Sequence, residues 1–280
     1  MNTETSQPSL QLLYPGPLEL DVESIRAVLR DYHPSLQDAS VELQPAPVGG
    51  GTQLSDAPPV AMTGQIAWDS HRIQLIACDS PMPYGPLETS VFPAMMAPET
   101  KAEAKQHRSH VMLYYGGEST DAREQYVALG AVAGSLARFS AIVIVNEEAR
   151  TSVPAFELIR DEDESDMLAV LRGFPIPYLW GGFVKLDTGD ANRPWVRTFT
   201  NHRFGLPNFA AHLRGHHETS ATFMQFAGIL AYLEEQQTVI EPGDELDLGD
   251  GNRLVIRAPS DAEWWLDSPG VMYVIQRLES

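Results

Sequence analysis

The sequence predicts an α+β fold, with mixed or antiparallel sheets, helices packed on one face, and two ferredoxin-like halves as the most specific form. Three observations carry this. Short apolar runs of strand length are set apart by proline, glycine and aspartate. Two segments, 120–138 and 219–236, place their apolar residues at helical spacing. The resulting order, β-α-β-β, then β-α-β, then β-β-α-β-β, contains few of the repeated β-α-β units that build a parallel sheet.

In chain order, Ser9–Tyr14 reads as a first strand, stopped by Pro15-Gly16-Pro17. Asp21 caps a helix carrying Val22, Ile25, Val28 and Leu29, which His33-Pro34 ends. Residues 45–59, with Gly49-Gly50-Gly51-Thr52, read as a flexible loop. Strands follow at 60–68 and 71–78, joined at Asp69-Ser70, and a short helix begins at Pro86. Val111–Tyr115 is a strand. The helix at 120–138 bears the stripe Tyr126, Leu129, Val132, Ala133 and Leu136, and Ala-Ile-Val-Ile-Val at 141–145 is a buried strand. Strands are expected at 177–187 and 195–200, and the helix at 219–236 aligns Phe223, Phe226, Leu230 and Leu233. A hairpin turning at Gly249-Asp250-Gly251-Asn252 and a strand at 271–277 close the chain. Residues 1–8 read as a disordered tail. Residues 9–280 read as one α+β domain, or as two subdomains meeting near 147–175.

Composition excludes several classes. The chain has 280 residues and a net charge of −19, from 38 acids and 19 bases. That field repels phosphate backbones, so no nucleic-acid partner is expected, and it attracts a basic protein. The simpler use of the charge is solubility. Cys78 is the only cysteine, which leaves no intrachain disulfide and no cysteine-based metal site. The first eight residues lack the lysine or arginine of a signal peptide, and no apolar run spans a bilayer. A cytoplasmic location with no membrane partner is the expectation.

Each chemical motif also has a structural reading. His212, His216 and His217 beside Glu218 have spacing suited to a metal, but Gly215 interrupts them, and surface histidines in a loop read better. His107 and His110 read as structural hydrogen-bonding residues. Cys78 has no basic neighbour in sequence to activate it, and the Gly-x-Ser-x-Gly turn of a serine hydrolase is missing. Gly116-Gly117 precedes a helix, yet Glu118 and Asp121 would repel an anion there. Asp187, Asp190, Asp247 and Asp250 are explained as turn residues. No catalytic residue, metal site or cofactor is assigned.

Two segments suit recognition. The acidic run Asp161, Glu162, Asp163, Glu164 and Asp166 is either a solvated helix start or a docking patch. The stretch 174–204 collects Phe174, Tyr178, Trp180, Phe183, Trp195, Phe199 and Phe204 with Arg193, Arg197 and Arg203. Such residues fill cores, and they also dominate binding hot spots. Asp161, Glu162, Asp163, Glu164, Trp180, Trp195 and Arg203 are therefore the binding candidates. Trp264-Trp265 admits the same two readings.

Four segments in order also carry a family likeness. They are Leu10–Pro17 with its following helix, Ile76–Pro86, His107–Asn146, and Thr198–Leu206 with its Arg203-Phe204-Gly205-Leu206 ending. From about 9 to 258 the chain resembles the bacterial domain of unknown function 4261. The resemblance implies a bacterial cytoplasmic α+β protein and assigns no catalytic residue. It marks His110 and Gly205 as places for a family-specific role.

Together these readings favour a non-enzymatic protein-binding protein, in concrete form an immunity or antitoxin-like inhibitor of a basic bacterial toxin. The alternative is a hydrolase with a histidine and carboxylate site in a cleft between two halves, since such sites are assembled by geometry rather than spacing.

Overall fold

The computed structural model describes residues 7–46, 59–161, 163–164, 166–186, 188–190, 192–247, 249 and 253–278. The glycine-rich loop at 49–52, Glu162, Asp187 and Asp250 lie outside them. The chain divides into two units, one of residues 1–147 and 152–174, the other of 148–151 and 175–280. The fold is α+β, with two mostly antiparallel sheets.

In the first unit β1 (Ser9–Tyr14) leads to α1 (Val22–Tyr32) and β2 (Ser40–Pro45), then to β3 (Val60–Trp68) and β4 (His71–Cys78). Next come α2 (Tyr84–Ser90), α3 (Pro98–Lys105), β5 (Ser109–Tyr115) and α4 (Ala122–Ala137). The remaining elements are β6 (Val143–Asn146), β7 (Thr151–Pro154) and α5 (Met167–Gly173). The sheet order is β2-β3-β4-β5-β1-β6-β7. β1 lies between β5 and β6, antiparallel to both, and β2 to β5 form an antiparallel meander.

Local chemistry explains these boundaries. The Asp21 carboxylate accepts from the Ser24 N–H at 2.9 Å and starts α1. Asp69 takes a φ of 45°, which aspartate tolerates, and turns β3 into β4. Asp166 caps α5 by accepting from the Ala169 N–H at 2.8 Å. The Pro8 carbonyl accepts from the Tyr115 N–H at 2.9 Å, so the chain joins the sheet just before β1.

α4 is buried continuously from Tyr126 to Ala137. Its small residues admit close neighbours. A Cβ on Gly134 would lie 2.2 Å from the Leu158 carbonyl oxygen and 2.6 Å from the Tyr32 hydroxyl. Gly134→Ala is therefore expected to destabilise the protein by about 1–3 kcal/mol through overpacking, against alanine's higher helix propensity. Thermal unfolding measures this, and an unchanged midpoint contradicts it.

In the second unit β8 (Val184–Leu186), β9 (Trp195–Arg197) and β10 (Asn208–His212) form one antiparallel triplet. After α6 (Thr219–Gln236), β11 (Glu245–Asp247), β12 (Arg253–Arg257) and β13 (Met272–Arg277) form another. The parallel pair β10–β13 joins them in the order β11-β12-β13-β10-β9-β8. Strand alternation sorts the faces. Val196, Phe209, Ala211, Leu254, Ile256 and Ile275 pack on Phe226, Ile229, Leu230 and Leu233 of α6. Trp195, Ala210, Met272 and Val274 face the other way, onto Leu266 and Trp265 of the 3-10 turn at 261–266.

That turn is pinned electrostatically. Glu263 closes a capping box with Ser260 and accepts two hydrogen bonds from Arg257, at 2.5 and 2.7 Å. The Arg257 guanidinium and the Ser260 N–H hold its carboxyl down at about 2. Because the folded value lies below the ordinary 4.5, this stabilisation is present above pH 4.5 and is lost as pH falls from there towards 2. Glu263→Gln is expected to remove that part of the acid lability and to cost about 1.5–3 kcal/mol at neutral pH, as charged hydrogen bonds do. Denaturation curves at pH 7 and pH 3 separate the two effects.

Two architectural expectations are corrected. Helices do not keep to one face of the first sheet. The Tyr14 hydroxyl donates to the Leu136 carbonyl of α4 at 3.2 Å, whereas its neighbour Leu13 packs with Met82, Leu87, Val91 and Ala104 around α2 and α3. Nor is either half ferredoxin-like. The sheets have seven and six strands rather than four, and the second unit holds a single α-helix among its described residues.

The expected strand at 177–187 also shrinks to β8. Gly182 takes a φ of 70°, and a Cβ there would lie 2.1 Å from the Ala149 carbonyl oxygen. The N–H groups of Tyr178 and Gly181 donate to the Pro175 and Ile176 carbonyls, which folds 175–181 into turns.

Candidate functional site

The sequence-predicted binding residues do not form one surface. Asp161, Asp163 and Glu164 belong to the first unit, whereas Trp180, Trp195 and Arg203 belong to the second. Asp161 and Asp163 are exposed at the start of α5, as a solvated helix entrance would be. Trp180 is 0% exposed, and its carbonyl accepts from the Thr200 hydroxyl at 2.6 Å. Trp195 is buried between His212, which stacks on it at 5.1 Å, and Trp265. Arg203 grips Glu148 through Nε at 2.9 Å and Nη2 at 2.7 Å. Trp180 and Trp195 thus sit in the core, and Arg203 in an ion pair with Glu148.

Arg197 is likewise internal. It is buried, lies over the Phe199 ring at 4.2 Å and donates to the Trp265 carbonyl at 2.8 Å. Burial, with Arg150 nearby, pushes its pKa down to about 10.

His107 and His110 are committed to structure. His107 accepts from the Met82 N–H through Nε2 at 2.7 Å, and its Nδ1 meets the Ala104 carbonyl at 2.6 Å, so the ring is held neutral. Burial lowers its pKa. His110 donates through Nδ1 to the Ser80 carbonyl at 2.8 Å, and burial lowers its pKa too. Cys78 is buried, which raises its thiol pKa. Among the described residues no group of three or more histidine, cysteine, aspartate or glutamate side chains is placed to hold a metal ion.

Three openings in the second unit bear on binding. One, about 750 Å³, sits where β10 and β13 part after Ala210 and Val274. Its charges pair among themselves. Glu218 accepts from the Arg214 N–H at 2.8 Å and from Nε at 3.1 Å, and it faces Arg277 at 3.6 Å.

The other two flank the C-terminal half of α6 and share Leu233. One, about 440 Å³, lies between Gly228, Ile229, Tyr232 and Leu233 of α6 and Glu245–Asp247 of β11. The other, about 310 Å³, is lined by His202, Leu206, Pro207, Val239, Val271 and Tyr273, among others. Large apolar side chains stand open beside them: Tyr232 is 56% exposed, Val239 82% and Val271 54%. Exposed apolar groups gathered around grooves mark recognition surfaces.

The rim is acidic. No lysine or arginine occurs from residue 219 to 252, while Glu234, Glu235, Glu241, Asp244, Glu245 and Asp247 fall within it. The field reaches the groove wall. Glu241 and Asp244 add to burial in raising the pKa of Tyr273, whose hydroxyl donates to the Ile240 carbonyl at 3.0 Å.

A buried polar network positions one side of this surface. The Asn208 side chain accepts from the Asn201 N–H at 3.1 Å and donates to the Pro269 carbonyl at 3.1 Å. The Asn201 side chain donates to the Pro207 carbonyl at 3.0 Å. The segments 201–207 and 269–271, which line the smaller groove, are thereby tied to β10.

Sequence reasoning named the apolar face of α6 and the later hairpin separately, and Asp247 only as a turn residue. The available signal was the long stretch without a basic residue beside exposed Tyr232 and Val239. Comparison with models of known protein families, with curated proteins and with solved structures finds no match.

Proposed function

We propose that the chain is a non-enzymatic binding protein that receives a basic polypeptide on the acidic, apolar surface around the C-terminal half of α6. The observation that carries this reading is the juxtaposition of two apolar grooves meeting at Leu233 with the acid-rich stretch 219–252, which holds no lysine or arginine and whose Glu245 pairs with Arg253 just beyond it. Such a surface supplies burial for affinity and a field for steering and selection. It replaces 161–164 and 174–204 as the preferred contact region. Inhibition of a basic toxin is one form this activity would take. Membership in the domain of unknown function 4261 family is part of the same proposal and rests on the four segments quoted for it.

The test compares wild type with the quadruple variant Glu241→Gln, Asp244→Asn, Glu245→Gln and Asp247→Asn in affinity capture from a lysate of the encoding organism. A basic protein retained by wild type at low salt, released as salt rises and lost by the variant is the expected result. Equal retention by both proteins, or retention of acidic proteins only, overturns the reading.

A further inference from the structure

Resting on that reading, we infer that β11 is the docking edge: an extended basic segment of the partner adds to it as a further strand, with one apolar side chain seated in the groove between β11 and α6. The geometry begins with the backbone. β11 is an outer strand of its sheet. The Ile256 N–H donates to the Asp244 carbonyl at 2.9 Å, and β11 pairs with β12 in the register Glu245↔Val255 and Leu246↔Leu254. The Asp244 carbonyl and the backbone groups of Leu246 thus turn towards β12. By alternation, the N–H and C=O groups of Glu245 and Asp247 point away from the sheet, where an added strand would meet them.

The other sheet edges are less open to addition. β2 ends in Pro45, β7 is buried throughout and ends in Pro154, and β8 starts at buried Val184.

Side chains select the occupant. Glu245 and Asp247 share one face of β11, so a second copy of this edge would set carboxylates against carboxylates. A strand with basic residues at alternate positions meets them favourably. Glu245 already pairs with Arg253, which also stands opposite Asp247 in the β11–β12 register, and Asp247 accepts from the Gly249 N–H at 2.9 Å.

Leu246 points to the opposite face, towards α6, and packs against its core. A partner residue across from Leu246 points the same way, into the 440 Å³ groove. Its floor includes Gly228, where a Cβ would meet nothing within 4 Å. The recognised pattern is therefore basic–apolar–basic in extended conformation, and a basic amphipathic helix does not reproduce it.

Three labelled peptides test this by fluorescence anisotropy. One alternates lysine and valine, one carries the same residues in two blocks, and one is a lysine–leucine amphipathic helix former. The alternating peptide is expected to bind at least about tenfold tighter than the block isomer, a difference of about 1.4 kcal/mol. Gly228→Trp, which fills the groove, and Glu245→Pro, which removes an outward N–H, are each expected to weaken it about tenfold. Glu245→Gln, which keeps the N–H, is expected to weaken it less than Glu245→Pro. Unchanged thermal midpoints confirm that the variants fold.

Equal binding of the alternating and block peptides overturns strand addition and leaves a charge-selective binding function standing. So does tighter binding of the helical peptide that Gly228→Trp abolishes. Binding by none of the three overturns strand addition, and joined to a failed capture experiment it removes the binding function as well.

Discussion

Trp180→Ala is expected to cost about 3–5 kcal/mol of stability, the range for truncating a fully buried large aromatic. Trp180 has no exposed surface, and the Thr200 hydroxyl is fixed on its carbonyl. The neighbouring Gly181 and Gly182 leave no slack: a Cβ on Gly181 would lie 2.1 Å from the Asn201 side-chain oxygen. The cavity left by the indole therefore has little freedom to collapse. Chemical denaturation measures the loss. Affinity for a basic peptide, measured where the variant remains folded, is expected to stay near the wild-type value. A stable variant with lost affinity would restore Trp180 as a contact residue.

The second large effect is expected at Asn208. Replacing it by leucine keeps the branched heavy-atom shape but removes the acceptor for the Asn201 N–H and the donor to the Pro269 carbonyl, both within a largely buried network. Each stranded buried group costs about 1–3 kcal/mol, so Asn208→Leu is expected to lose about 2–6 kcal/mol. Asn208→Asp, which keeps the acceptor and loses the amide donor, separates the two contributions. Amide exchange should rise first in 201–207 and 269–271, the segments that Asn208 ties together. Uniform exchange across the second unit would show that the network stabilises the whole unit and does not specifically position the groove wall.

Much of the fold was legible from local chemistry. β1, α1, the β3–β4 hairpin, α4 and α6 are marked by caps, turn residues and clear periodicity, and the structure places each close to its expected range. The misses share a cause. β10 is a central strand, but its Asn-Phe-Ala-Ala-His sequence has no β-branched residue, and its place comes from pairing with β9 and β13. β2 and α3 lie beside proline-rich sequence that masked them. The second strand order depends on the parallel β10–β13 pair, whose partners stand far apart in the chain.

The candidate site was less legible for the same reason. Aromatic density in 174–204 drew attention because those residues are adjacent in sequence, yet adjacency there builds a core. The groove draws on α6, β11, the segment before β11, and residues 202–207 and 270–273, which meet only in the folded unit. Net charge read most simply as solubility, with attraction of a basic protein as its functional use. The structure contributes the place where that charge lies against exposed apolar surface, in a stretch free of lysine and arginine.

The most direct measurement is an amide chemical-shift map of the isotope-labelled full chain titrated with the alternating lysine–valine peptide at physiological ionic strength. The largest shifts are expected in 228–247, centred on Gly228, Tyr232 and Glu245–Asp247, and are expected to vanish in Gly228→Trp. Shifts centred instead on Asp161–Asp166, or small shifts spread over every acidic residue and unaffected by Gly228→Trp, would contradict this expectation.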